Sequence, residues 1–320
     1  METSFLAYVR GRTRHLRQTP LRLGIGDDAA VLQTRGQTVL CTDQIIDGVD
    51  FRLDEIEHWK IGFKAVAINI SDLAAMGSIA DSILVTMALP KSSATQLAAE
   101  VYEGIIAACE HFDLSIAGGD LSTYDGPLSI SVTAVGHLED AWQPWTRFGA
   151  NVGDDVYVTG PVGGSLLGRH LTPRTAIDLV PPLREKNLVT AAIDISDGLS
   201  LDLDRLCAAS GVGIRLDESS IPVHDDAIRR SEQSGQTPFR HAWSDGEDFE
   251  LILAMPPQAA DDLGSLTRPL HRIGTLTTRM GLWTDRDGKL IRLSPQGYVH
   301  GDTDPSVTTS AIGRGGAATD

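Results

Sequence analysis

The sequence predicts a two-domain protein of the mixed α/β (α+β) class. Three observations carry that expectation. A length of 320 residues exceeds one ordinary domain. Helical and strand-like segments intermix along the whole chain, with no internal repeat. A composition 42% hydrophobic and 22% charged supplies apolar mass for real cores. We place an N-terminal α/β domain at 1–145, a C-terminal α+β domain at 146–301, and a small, polar, disordered tail at 302–320.

Residues 3–17 read as a helix capped by Thr3 or Ser4, with Phe5, Val9 and Leu16 on one side and its arginines on a solvated face. Residues 38–42 read as a strand that delivers Asp43 at its end. The clearest helix is 57–76. Trp59, Phe63, Val66, Ile70 and Leu73 form one buried stripe, and Lys64, Ile68 and Asp72 fall four residues apart on a neighbouring face. Gly77 ends it as a C′ glycine, leaving Asp72 in the last turn, where the helix dipole disfavours an anion. A strand at 81–89, a helix at 93–111, a short strand at 114–117 and an alternating strand at 128–138 complete the first domain.

In the second domain, residues 155–159 form a strand and 160–165 a glycine-rich turn opening a helix. Helices follow near 199–209 and 225–234. Strands are expected at 213–216, 249–255, 271–275 and 290–293.

Bulk properties exclude several functions. A net charge of −16 argues against nucleic acid or an anionic membrane as the main partner. Cys41, Cys109 and Cys207 are too few and too scattered for a disulfide framework or a zinc site. No apolar run spans a bilayer and no secretory leader is evident, so a cytoplasmic location is expected. The nine histidines show no zinc-enzyme spacing, and no Walker A glycine-lysine pattern or protein-kinase signature is present.

The informative residues are five aspartate-rich motifs: Gly26-Asp27-Asp28, Thr42-Asp43, Ser71-Asp72, Gly118-Gly119-Asp120 and Asp194-Ile195-Ser196-Asp197. Each is expected where a strand or helix gives way to a loop. Gathered carboxylates repel one another unless a cation lies between them. Oxygen-only ligand sets suit Mg2+, which usually also holds substrate phosphate. Nucleotide chemistry through metal ions and main-chain amides follows. The glycine-rich turn at 160–165 and the acidic segment at 244–250 read, taken alone, as structural turns. Gly24-Ile25-Gly26 approaches a dinucleotide fingerprint, but no apolar strand leads into it and two carboxylates would face the pyrophosphate.

In this order and spacing the motifs resemble the thiamine-monophosphate kinase family, of the aminoimidazole ribonucleotide synthetase-like superfamily. The resemblance runs from Gly24 to about Gly301. It includes Gly48-Val49-Asp50-Phe51, the segment from Lys64 to Gly77, residues 147–150, Asp194–Leu199, Gly246–Leu251 and Gly297-Tyr298. It implies an N-terminal domain that dimerises into a barrel-like core, and ATP with several Mg2+ ions in a cleft between domains. The implied reaction converts thiamine monophosphate and ATP to thiamine diphosphate and ADP, the last step of thiamine diphosphate biosynthesis. By position it implies Asp28, Thr42, Asp43, Asp72, Asp120, Asp194 and Asp197 as metal ligands. Tyr102, Gly119, Asp120, Arg147 and Ser196 correspond to ATP contacts, and Asp50, Glu247 and Tyr298 to the acceptor end.

Two residues depart from the family pattern: Asp50 where histidine is frequent, and Tyr298 where tryptophan is frequent. The acceptor is itself a phosphate, largely ionised at neutral pH, so no acid–base residue is required and none is expected. The alternatives are another enzyme of the superfamily with a different acceptor, or a non-catalytic metal-binding module. The lack of EF-hand spacing weighs against the module.

Overall fold

The computed structural model describes residues 2–25, 29–92 and 94–299. Asp28 and the tail at 302–320 lie outside the described residues. The chain begins with α1 (Glu2–Arg12), shorter than predicted. The helix stops where the Thr13 hydroxyl bonds back to the Val9 carbonyl, 2.9 Å away. Two short strands, β1 (Leu21–Leu23) and β2 (Val31–Leu32), pair antiparallel around the Gly24 segment. They are brief and largely exposed, so no pattern announced them.

The first sheet uses β3 (Gln37–Ile46), β4 (Ile79–Pro90), β5 (Ser115–Tyr124) and β6 (Ser129–Leu138) in the order β3-β6-β4-β5, with only β4 and β5 parallel. One face packs against α2 (His58–Ala75) and α3 (Ala94–His111), closing a core around Val66, Ile70, Val85, Ile105 and Val132. On the open face Leu40 and Leu84 are exposed. This face corrects two expectations. Thr42-Asp43 and Gly118-Gly119-Asp120 lie within β3 and β5, not at their ends. Polar residues are at home on an uncovered face and therefore do not terminate a strand.

Helices α2 and α3 approach closely through two glycines. A Cβ on Gly104 would lie 1.7 Å from the Trp59 carbonyl oxygen, and one on Gly62 would lie 2.0 Å from that of Val101. Trp59 is consequently pushed to the edge of the predicted stripe and stays 38% exposed.

The second sheet has the order β13-β12-β9-β11-β7-β10-β8. Its strands are β7 (Asp155–Val158), β8 (Ala191–Asp194), β9 (Gly213–Leu216), β10 (Leu251–Met255), β11 (His271–Thr277), β12 (Gly281–Arg286) and β13 (Lys289–Leu293). Between them run α4 (Val180–Lys186), α5 (Leu199–Ser210), α6 (Asp225–Ser234) and α7 (Pro238–Ser244). The helix expected after Gly160 is instead a series of single 3-10 turns between Ser165 and Leu179. Gly168 at φ 126° and Pro173 keep the segment from continuing as an α-helix. Among the described residues no helix is long and apolar enough to cross a membrane.

The C-terminal end of α2 joins the two sheets. Ala74 and Ala75 pack into a core with Trp145, Leu183, Leu251 and Leu253. Gly77 adopts φ 63° and its N–H bonds to the Ala74 carbonyl, closing the helix as predicted. Arg184 of α4 donates to the Gly77 and Met76 carbonyls (2.8 and 3.0 Å) and lies over the Trp145 ring at 4.5 Å. It thereby satisfies orphan carbonyls at the negative end of the helix dipole.

Gly104→Ala should force α2 and α3 apart and destabilise the protein by about 1–3 kcal/mol. Thermal unfolding of the purified variant checks this, and an unchanged melting temperature would contradict the close-approach argument.

Candidate active site

A cleft of about 1400 Å³ opens where α2, the 43–56 segment, the β8–α5 turn, Glu247 and residues 295–299 meet. Lys64, Ile68 and Asp72, predicted to share one face of α2, all line it. So do Asp43, Asp50, Arg147, Asp194, Ser196, Asp197, Glu247 and Tyr298.

Three carboxylates define one wall. Asp43 comes from β3, Asp72 from α2 and Asp194 from the end of β8. Asn69, fully buried on α2, turns its side-chain oxygen to the Asp43 amide (3.1 Å) and fixes the strand against the helix. Ser71 donates to Asp194 Oδ2 (2.9 Å) and draws β8 to α2. Burial pushes the pKa of all three upward; repulsion by Asp194 and Asp43 adds to the rise at Asp72, and repulsion by Asp202 and then Asp43 adds to it at Asp194. Arg147 acts in the opposite direction on both.

The set consists of carboxylate oxygens, opposed in part by Arg147. That chemistry fits a hard divalent cation. Among the described residues no three His, Cys, Asp or Glu side chains are arranged as a finished metal cage. Mg2+ is typically held by one or two carboxylates, waters and substrate phosphate oxygens, so it does not require such a cage.

The second acidic motif is organised by a residue that the sequence reading passed over. Asp202, in the first turn of α5, accepts from the amides of Ser196, Asp197 and Gly198 (3.1, 2.9 and 3.2 Å). Gly198 sits at φ 128°, which only glycine adopts readily. Asp197 lies 2.5 Å from Arg205, which also bonds Asp202 (2.7 Å). An acid four residues beyond the Asp-Gly turn was the available signal.

The glycine-rich turn is structural, in agreement with the sequence reading. The Gly163 amide is taken by Asp248 (2.9 Å) and that of Gly164 by Asp245 (3.2 Å), leaving neither for phosphate. The acidic segment at 244–250 is more than a turn. Glu247 and Phe249 hold φ of 52° and 54°, and their amides bond the Ser196 and Ile195 carbonyls (2.7 and 2.9 Å). Two non-glycine residues in the left-handed region, each strained by about 1–3 kcal/mol, mark a segment that its surroundings over-determine. Tyr298 is brought in by its amide on the Asp197 carbonyl (2.9 Å).

Four predicted residues are not brought to this cleft within one chain. Tyr102 lies on the inward face of α3, 5% exposed and edge-on to Phe5 at 5.5 Å. The Thr42 hydroxyl bonds the Val132 carbonyl and receives Thr133, on the sheet face opposite Asp43. Gly119 shares the Asp43–Val132–Val85 row, three strands away, or about 14 Å. Asp120, paired with Thr86, is exposed on the open face.

Comparison with known proteins bears on this geometry. The model of the AIR synthase related protein N-terminal domain matches residues 26–138, and that of the C-terminal domain matches 138–282. The chain is 53% identical over 316 residues to a thiamine-monophosphate kinase of Rhodopirellula baltica, covering 95% of this chain and 98% of that one. The crystal structure of a thiamine-monophosphate kinase from Stenotrophomonas maltophilia superposes with a TM-score of 0.75 at 32% identity, covering 87% and 95%. The structure of AaThiL complexed with AMPPCP and TMP gives 0.74 at 29%, covering 86% and 91%.

The carboxylate wall has a pH signature. Between its ordinary value of 3.8 and a folded-state value of about 8, Asp72 keeps its proton in the folded protein and loses it in the unfolded chain. Stability of the cation-free protein therefore falls as pH rises through that window. Asp72→Asn should melt higher than the unsubstituted protein above pH 8, with the difference vanishing toward pH 4 (about). Calorimetric scans in EDTA check this. A variant that melts lower at the alkaline end would refute the repulsion.

Proposed function

The chain belongs to the thiamine-monophosphate kinase family, and on that premise we propose that it transfers the γ-phosphoryl group of ATP to thiamine monophosphate, yielding thiamine diphosphate and ADP. The observation that carries this reading is the cleft's division of labour. Three carboxylates, Asp194 buried and Asp43 and Asp72 half-buried, stand on one wall, and Asp50, Glu247 and Tyr298 stand elsewhere on the same cleft. AaThiL, complexed with AMPPCP and TMP, supports a site that takes both a nucleotide and a thiamine phosphate.

Asp43, Asp72 and Asp194 would hold Mg2+, with Asp197 released from Arg205 to join them, and Asp28 as a further ligand. Magnesium supplies charge neutralisation between two phosphates and on the departing ADP. Arg147 and Ser196 contact the nucleotide. Arg147 lies where its positive charge already reaches Asp72 and Asp194, so it pulls phosphate toward the same wall. Glu247 and Asp50 present negative charge to the cationic thiamine moiety, and Tyr298 offers an aromatic face to a ring.

The attacking oxygen belongs to a phosphate whose second pKa is near 6, so it needs no base. The protein's contribution is in-line positioning of two anions, without a phosphoenzyme.

The open face of the first sheet, with exposed Leu40 and Leu84, is the proposed homodimer surface, joining two sheets into a barrel-like core. Thr42, Gly119 and Asp120 would serve ATP and metal in that assembly. Tyr102, walled into the core, is left out of the proposed contacts. Such an enzyme works in the cytoplasm on small molecules, without nucleic acid or membrane.

ADP release measured with Mg-ATP and either thiamine monophosphate, thiamine or no acceptor tests the reading. Release only with thiamine monophosphate, abolished by EDTA, is expected. Equal release with free thiamine would overturn the phosphate-acceptor mechanism. Asp43→Asn should lower turnover by orders of magnitude while leaving the circular dichroism spectrum unchanged. Turnover near that of the unsubstituted enzyme would remove Asp43 from the metal set.

A further inference from the structure

Among the described residues Lys64 is the largest fully buried side chain, 1% exposed at the middle of α2. A lysine is almost never buried without a partner and a purpose. Its Nζ donates to Glu247 Oε1 at 2.6 Å and to the Asp50 carbonyl at 3.3 Å. The lysine thus reaches from the helix to two of the three segments that carry the acceptor-end residues. One belongs to the loop after β3, the other to the left-handed turn before β10.

We infer that Lys64 is a positioning residue for acceptor recognition: it holds the Glu247 carboxylate by one oxygen so that the other is presented to the cationic part of the acceptor. The inference rests on the kinase reading above. Glu247 is 30% exposed on its side chain and lines the cleft, so it faces ligand as well as Lys64. Among the described residues only Oε1 has a hydrogen-bond partner. The backbone around it is rigidly set by the Ser196 and Ile195 carbonyls, but the side chain beyond Cβ would be free to turn without the lysine.

The loop side of the clamp is equally specific. Asp50 Oδ2 accepts from the Ile46 amide (2.8 Å), so the loop is closed on itself before Lys64 takes its carbonyl. His170 completes this end of the cleft. Burial lowers its pKa, and its Nδ1 lies 2.9 Å from the Ser165 carbonyl, which can only accept. Neutral His170 therefore carries its proton on Nδ1 and adds no positive charge near Glu247. Lys64 is the cation that balances Glu247 without occupying the open cleft.

Steady-state kinetics on Lys64→Met, Glu247→Gln and the double variant test this. One charge-assisted hydrogen bond is worth enough that Lys64→Met should raise KM for thiamine monophosphate by about tenfold or more, with KM for ATP changed by less than about twofold. In the Glu247→Gln background the added effect of Lys64→Met should largely disappear, because the lysine acts through that carboxylate. The double variant leaves no unpaired buried charge, so it keeps the test open if Lys64→Met alone does not fold.

An unchanged acceptor KM in folded Lys64→Met overturns the inference while leaving the kinase reading intact. So does an effect that persists undiminished in the double variant, or one that falls equally on ATP. Failure of the unsubstituted enzyme to use thiamine monophosphate overturns the kinase reading and the inference with it.

Discussion

Everything at the site depends on how deeply the middle and C-terminal turns of α2 are packed. The helix lies against the first sheet, against α3 through Gly62 and Gly104, and against the second sheet through Ala74 and Ala75. The turns so enclosed nevertheless carry polar residues. Lys64, Asn69, Ser71 and Asp72 must each be answered by something nearby, since an unmet buried polar group is expensive. Asn69 is answered by β3, Ser71 by β8 and Lys64 by Glu247. Asp72 is met chiefly by other carboxylates. Satisfying the first three assembles the cleft. The fourth, set among carboxylates, is the group that a cation would answer in the proposed site.

The same geometry explains why the two sheets are locked rather than hinged at this point. Asp194 is the last residue of β8 and is drawn to α2 by Ser71. Arg184, from α4 on the same face of that sheet, closes the helix's C-terminus and stacks on Trp145. The carboxylates are thus held together by hydrogen bonds and packing while their charges push them apart. Under the proposed function, repulsion held in this way would be released when a cation arrives, and metal and nucleotide binding would gain from it.

Long periodic elements were legible in the sequence, because burial on one face writes a repeat that can be counted. Helices α2, α3 and α6, strand β6 and the Gly77 stop are of this kind. Strand ends were misread where one face is open. Thr42 and Asp120 carry the polar side of a half-covered sheet, and polarity there does not signal a loop. The residues of the carboxylate wall could be named from their motifs, but not their convergence, which needs β3, α2 and β8 to meet in space. Lys64 was placed on the correct face with Asp72, yet its partner lies 183 residues away and left no local trace. Asp202 was hidden differently. Its work is done on backbone amides, which sequence does not display.

The left-handed residues Glu247 and Phe249 complete this picture. A side chain at a loop tip usually samples several positions, and a carboxylate that must meet one end of a ligand would lose affinity to that freedom. Here the backbone is forced into a sparsely populated region by two hydrogen bonds to the very turn that carries Ser196 and Asp197. The 195–198 turn and the 247–249 segment therefore share one piece of backbone. A shift of the 195–198 turn would move Glu247 with it, so in the proposed site the distance between the nucleotide end and the acceptor end would be set by main-chain bonds rather than by side-chain reach. In-line transfer between two phosphates requires such a fixed separation.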